Sequence, residues 1–166
     1  MKAVANSSVL IALSSIGQIS LLHRRFPEGI LIPDAVWHEV VEAGGGRPGV
    51  MEVRSAGWIQ RRTVRDTDYV RLLCTELDLG EAQAIALARQ ERAEVVLLDE
   101  KEARRVARRL GMRVLGTVGL LIWARREGLI PNLREFLQVL QERGGFRLSR
   151  EIYLTALRQV GEGEDP

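Results

Sequence analysis

The sequence predicts an α/β fold built on a parallel sheet, and three observations carry that expectation. The first is the stretch 93–117, A-E-V-V-L-L-D-E-K-E-A-R-R-V-A-R-R-L-G-M-R-V-L-G-T. A short β-favouring apolar run (95–98) leads into a helical pattern with Ala103, Val106, Ala107 and Leu110 at i, i+3, i+4 and i+7. Gly111 stops that helix, and 113–115 reads as a second strand. Strand, helix and strand in so little chain form a βαβ unit, whose strands run parallel. The second observation is that short apolar runs alternate with helical patterns along the rest of the chain. The third is that 46% of the 166 residues are hydrophobic and 28% charged, enough to bury a core in one domain of ordinary size.

The elements follow in order. Residues 2–5 read as a short buried strand. Asn6, Ser7 and Ser8 follow it, each able to cap the helix expected over 9–15. Gly17 breaks that helix, and 19–25 supplies another turn or two. Residues 30–32 form a second strand closed by Pro33. A helix over 34–43 stacks Val36 on Val40 and Trp37 on Val41. Three glycines, 44–46, open a loop to Pro48. Residues 50–57 read as helical, with a short strand at 58–59. Helices are expected over 67–76 and, rich in alanine and apolar on most sides, over 79–91. After the central unit come helices over 117–127, over 133–140 with Gly144 as its stop, and from Ser149 to Val160. Residues 1–160 read as a single domain whose last part, 131–160, is a helical extension, and 161–166 reads as a frayed acidic tail.

Composition excludes several classes. The formal charge of +2, from 24 basic and 22 acidic residues, does not by itself argue for nucleic acid. All the basic residues except Lys2 and Lys101 are arginines, which suit bidentate phosphate contacts but also follow from a GC-rich genome or a hot habitat. Cys74 is the single cysteine, so an intramolecular disulfide and a cysteine-based zinc site are excluded. No apolar run approaches the roughly 20 residues that span a bilayer. Asn6-Ser7-Ser8 interrupts the only signal-like stretch, so the chain reads as mature and cytoplasmic.

Four polar side chains stand at strand ends or helix starts, where open α/β sheets hold their ligands. Asn6 follows the first strand and is also a good N-cap. Glu39 lies about 130° from the centre of its helix's apolar stripe, which on its own describes a solvated glutamate. Asp78 and Glu81 have capping-box spacing, and so do Asp99 and Glu102. Glu81 stays within about 60° of Ala84, Ile85 and Ala88 on the helical wheel, so it points toward the sheet and needs a partner there. A divalent metal shared with Asp99 would provide one. His38, next to Glu39, reads as a surface residue.

Five segments, A-V-A-N-S-S-V-L-I-A-L, I-P-D-A-V-W-H-E-V-V, L-D-L-G-E-A-Q-A-I-A-L-A, V-V-L-L-D-E-K-E-A-R-R-V-A-R-R-L-G and V-L-G-T-V-G-L-L, occur in that order. Together they resemble PIN-domain proteins, most closely a small prokaryotic branch related to VapC-type toxins of toxin–antitoxin pairs. The resemblance covers roughly residues 1–130, and the last helices look like that branch's C-terminal extension. It implies a three-layer fold, a central parallel sheet with helices on both faces, and an acidic pocket that holds Mg²⁺ or Mn²⁺ and cleaves RNA. The family's acidic positions fall on Asn6, Glu39, Glu81 and Asp99, with Thr117 near the metal and Glu100 and Glu102 nearby. The family usually has aspartate where this chain has Asn6. Asparagine offers a neutral carbonyl oxygen, lowers the pocket's charge by one and implies weaker metal binding.

The function expected on these grounds is a metal-dependent ribonuclease acting endonucleolytically, the toxin of a toxin–antitoxin pair. Arg104 and Arg105, nearest the pocket end of their helix, are the candidates for RNA phosphate, although a solvated face paired with Glu100 and Glu102 explains most of that helix's arginines. The alternative is a catalytically weak or inactive PIN-like module that binds RNA or an antitoxin-like protein. The resemblance also allows a homodimer through the apolar C-terminal helices. A phosphoryl-accepting receiver domain fits poorly, because the one lysine after the central strand, Lys101, belongs to the same unit as Asp99.

Overall fold

A computed structural model describes residues 1–163. Five strands, β1 (Ala3–Ala5), β2 (Ile30–Pro33), β3 (Ile59–Arg62), β4 (Val95–Leu97) and β5 (Arg113–Leu115), form one parallel sheet in the order β3-β2-β1-β4-β5. The order reverses between β1 and β4, since β1 crosses over to β2 on one side and meets β4 on the other. The register pairs Ala5 with Leu97 and Leu97 with Leu115, so the chain leaves the central strands at nearly one level. The Asn6 N–H still donates to the Leu97 carbonyl, at 3.1 Å.

Alternation along the strands divides the core. Ala3, Ala5, Ile30, Ile32, Val95 and Leu97 face one side, where they meet α1 (Ser7–Ser15), α2 (Ser20–Arg25), α4 (Val50–Ser55), α8 (Thr117–Arg126), α9 (Leu133–Arg143) and α10 (Arg150–Gln159). Val4, Val96 and Leu98 face the other side, under α5 (Thr67–Leu73), α6 (Leu79–Gln90) and α7 (Lys101–Arg109). These are the three layers expected. The three inner strands, β1, β2 and β4, are short and buried on both faces, which is why they read in sequence as unbroken apolar runs rather than alternating ones.

Three local expectations are corrected. The helix over 34–43 is not uniform: α3 (Asp34–Trp37) passes into a π-helical turn, His38–Glu42. Gly44 closes it tightly, since a Cβ there would lie 2.1 Å from the Val40 carbonyl oxygen. The strand expected at 58–59 begins at Ile59 and continues to Arg62, and its polar residues are tolerated because β3 is an edge.

The third correction concerns the frayed tail expected from 161. Glu162 is held: its carboxylate accepts from the Leu133 N–H at 2.6 Å, the Arg134 N–H at 3.2 Å and Arg125 Nε at 3.2 Å. It thereby caps the start of α9, whose free N–H groups attract an anion. The rest of the expected tail, 164–166, lies outside the described residues. The apolar faces of α9 and α10 are spent on this core, with Leu133, Leu137, Leu140, Ala156 and Leu157 buried. Among the described residues no helix is long and apolar enough to cross a membrane.

Candidate acidic site at the switch point

At the carboxyl end of β1 and β4, where the strand order reverses, lies a pocket of about 550 Å³. Asn6, Glu39, Glu81 and Asp99 all line it, together with Asp78, Glu100, Ser7, Ser8 and the segment 144–147. The pairing of β1 with β4 brings Asn6 and Asp99 together, and the π-helical turn and the start of α6 bring Glu39 and Glu81 to them.

Each side chain is set by its neighbours. Asn6 occupies the cap position of α1 with extended backbone, yet its side chain makes no capping bond. It is 5% exposed, and its Oδ1 is buried without a hydrogen-bond partner. A buried acceptor left unpaired costs about 1–3 kcal/mol, so this atom calls for a partner of positive character. Ser7 Oγ donates to Glu39 Oε2 at 3.0 Å, which ties the π-helical turn to the start of α1. A Cβ on Gly80 would lie 3.2 Å from Asn6 Oδ1 and 3.3 Å from Glu39 Oε2, so both oxygens converge on the first turn of α6.

Glu81 faces the sheet as its wheel position predicts and is 6% exposed. The capping box is formed: Asp78 Oδ1 accepts the Glu81 N–H at 2.8 Å, and Glu81 Oε1 accepts the Asp78 N–H at 3.1 Å. Burial pushes the Glu81 carboxyl above its ordinary value, and the bond from the Asp78 N–H only partly opposes this.

Asp99 does not cap the helix that follows it. That helix starts at Lys101, with Glu100 in the cap position and no side-chain capping bond. Asp99 instead reaches across to α8. Its Oδ1 accepts the Thr117 N–H at 2.7 Å, and its Oδ2 accepts Thr117 Oγ1–H at 2.7 Å. The cap residue of α8 is Gly116, which has no side chain to offer; a Cβ there would stand 3.1 Å from Asp99 Oδ1. Thr117 is fully buried and bears on the pocket through Asp99 rather than by lining it. Burial also raises the Asp99 carboxyl, against the Thr117 bonds and the charge of Arg104.

The two candidate phosphate arginines are placed differently. Arg104 folds toward Asp99 and Gly116, and its Nε is buried without a partner. Arg105 is exposed and paired with Glu102. Neither lines the pocket. The lining does include a cation that sequence reading passed over, Arg147; the double glycine before it, Gly144-Gly145, marked only a helix end. His38 is an exposed neighbour of Glu42, and His23 stacks on Trp58.

The donor set is all oxygen, carboxylates and one amide carbonyl, which suits a hard divalent cation. Among the described residues no three His, Cys, Asp or Glu side chains stand close enough to hold one ion together. The arrangement therefore fits an ion that takes few protein oxygens and keeps several waters, as Mg²⁺ does. Asn6 Oδ1 is the atom most in need of it. A family model described as a PIN domain matches residues 2–162 of the chain. The comparison with curated proteins returned no match.

Proposed function

Since the chain belongs to the PIN-domain family, a nuclease-type fold, we propose that it is a divalent-metal-dependent endoribonuclease whose centre is the switch-point pocket. The observation that carries the reading is the buried, unpartnered Asn6 Oδ1 among Glu39, Glu81 and Asp99, at the end of the two central strands. Asn6, Glu39, Glu81 and Asp99 would hold Mg²⁺ or Mn²⁺, no more than two of the three carboxylates directly and the rest through the ion's own waters. When bound, the ion would lower the pKa of water for in-line attack on an RNA phosphodiester and neutralise charge building on the phosphate and leaving oxygen.

The protein's part is to hold the oxygens in place. Thr117 fixes both Asp99 oxygens, Asp78 fixes one oxygen of Glu81, and Ser7 fixes one of Glu39. Each side chain is thereby pre-positioned before any substrate arrives. Arg104 and Arg105 would meet RNA phosphates outside the pocket. In a cell the enzyme would serve as the toxin of a toxin–antitoxin pair, restrained by a protein that presents an arginine to the acidic pocket.

The test is calorimetric titration of Mn²⁺ and Mg²⁺ into the protein and into Asp99→Ala, followed by cleavage assays on RNA. Binding weakened at least roughly tenfold in the variant, with cleavage lost, supports the reading. Equal binding in both sinks it. A second reading rests on the neutral Asn6 and the lack of a three-carboxylate cluster among the described residues: a pocket that binds RNA or a protein without cutting. Metal-dependent cleavage that appears only in Asn6→Asp would favour it.

A further inference from the structure

The pocket has two unlike walls. One is acidic. The other is the segment 144–147, between α9 and α10, which lies along α1. Ser8, Ile11, Ala12 and Ser15 fall on one face of α1 at i, i+3, i+4 and i+7. Gly144 sits against the far end of that face, since a Cβ there would be 2.9 Å from Ser15 Oγ and 2.7 Å from the Leu140 carbonyl oxygen. Ser8, Ile11 and Ala12 share the pocket with Gly144, Gly145, Phe146 and Arg147. The glycine approach and the Ser149 cap of α10 pin both ends of the segment.

Three donors belong to this wall, Arg147 among them as an exposed side chain. Arg147 is the one cationic side chain in the pocket lining, and it has no hydrogen bond or ion pair among the described residues. Ser8 Oγ is buried without a partner. The first N–H groups of α1, a nine-residue helix, are left without a side-chain cap because Asn6 supplies none. An RNA strand approaching Glu39, Glu81 and Asp99 is repelled by them, and of the side chains lining the pocket only Arg147 carries a charge that offsets this repulsion.

Resting on the ribonuclease reading, we propose that Arg147 and the Ser8 hydroxyl, at the start of α1, form a phosphate subsite that positions the RNA backbone opposite the acidic wall. Arg147 is a positioning residue: it grips a non-bridging phosphate oxygen and takes no part in bond making. A charge-assisted bond of this kind is strong enough to set register.

The experiment uses the full chain, a fluorescent single-stranded RNA oligonucleotide and a salt series in EDTA, with cleavage measured separately in Mn²⁺. Arg147→Ala should weaken binding roughly tenfold and reduce the slope of log K against log salt by about 0.7. Arg147→Lys should restore the slope, and Ser8→Ala should weaken binding without changing it. Mn²⁺ affinity should stay the same in Arg147→Ala. Unchanged RNA affinity and slope in Arg147→Ala, in a chain that cleaves RNA, overturn the subsite alone. A chain that binds RNA through Arg147 but never cuts it overturns the nuclease reading alone. A chain that binds no RNA overturns both.

Discussion

Asp99 shows what it costs to bury a carboxylate. Burial raises its carboxyl above 3.8 and that of Glu81 above 4.5, so the ionised forms are disfavoured in the folded protein. A carboxyl raised on folding contributes stability that is complete below its unfolded pKa and lost as pH climbs through the folded one. Asp99→Asn should therefore be more stable than the parent at pH 7, by about 1 kcal/mol, and the gap should close as pH falls toward 3.8. Asparagine can still accept the Thr117 N–H and donate to its hydroxyl oxygen, so the cap of α8 survives. Thermal melts across pH check this, and a gap that widens on acidification contradicts it. The same shifts imply that metal affinity rises with pH above the usual carboxylate range, because protons compete for the same oxygens.

At the scale of elements, the helix ends decide where these oxygens point. Gly80 lies in the first turn of α6, where alanine would gain roughly 0.5–1 kcal/mol of helix stability. Its missing Cβ is the space into which Asn6 Oδ1 and Glu39 Oε2 converge. Gly80→Ala should therefore keep or raise the melting temperature while weakening Mn²⁺ binding severalfold. Unaltered metal binding in that variant would mean the two oxygens do not act together. Such packing was not legible in the sequence. The capping box at Asp78 was, because its donors and acceptors sit three residues apart on one chain segment. The identical pattern at Asp99 misled, since its true partner, Thr117, is eighteen positions away and becomes a neighbour only through the pairing of β4 with β5. The π-helical turn under Glu39 left no mark in the apolar periodicity, which is the same on Val36, Val40 and Val41 for either helix type.

For the whole molecule, β1, β2 and β4 could be read as apolar runs while most of the polar edge strand β3 could not, and the parallel sense followed from the crossovers, but the strand order could not be read from single segments. Asn6, Glu39, Glu81 and Asp99 were legible as residues that end strands or begin helices; Arg147 was not, because it belongs to a connection far from any strand end. The far ends of the two helices that flank that connection, the start of α9 and the end of α10, are joined by the clasp at Glu162. Glu162→Gln should lose the ion pair to Arg125 and weaken the cap on α9, at a cost of about 1–3 kcal/mol. Hydrogen exchange should then quicken in α9, α10 and 144–147, while the sheet keeps its protection. Uniform quickening through β1 and β4 would show that the clasp supports the entire core rather than one wall.

The pocket draws on residues from 6 to 147, nearly the full run of the chain, and this dictates an order of events during synthesis. A ribosome releases β1 before β4 and β5, and the segment 144–147 after all three. A nascent chain that has already emitted β5 has its acidic wall but lacks the opposing wall, and the Glu162 clasp has yet to arrive. The two walls are thus complete only once α10 and Glu162 have emerged, and on the proposed reading a chain cut short of Arg147 carries the oxygens without the cation that would bring a nucleic acid to them.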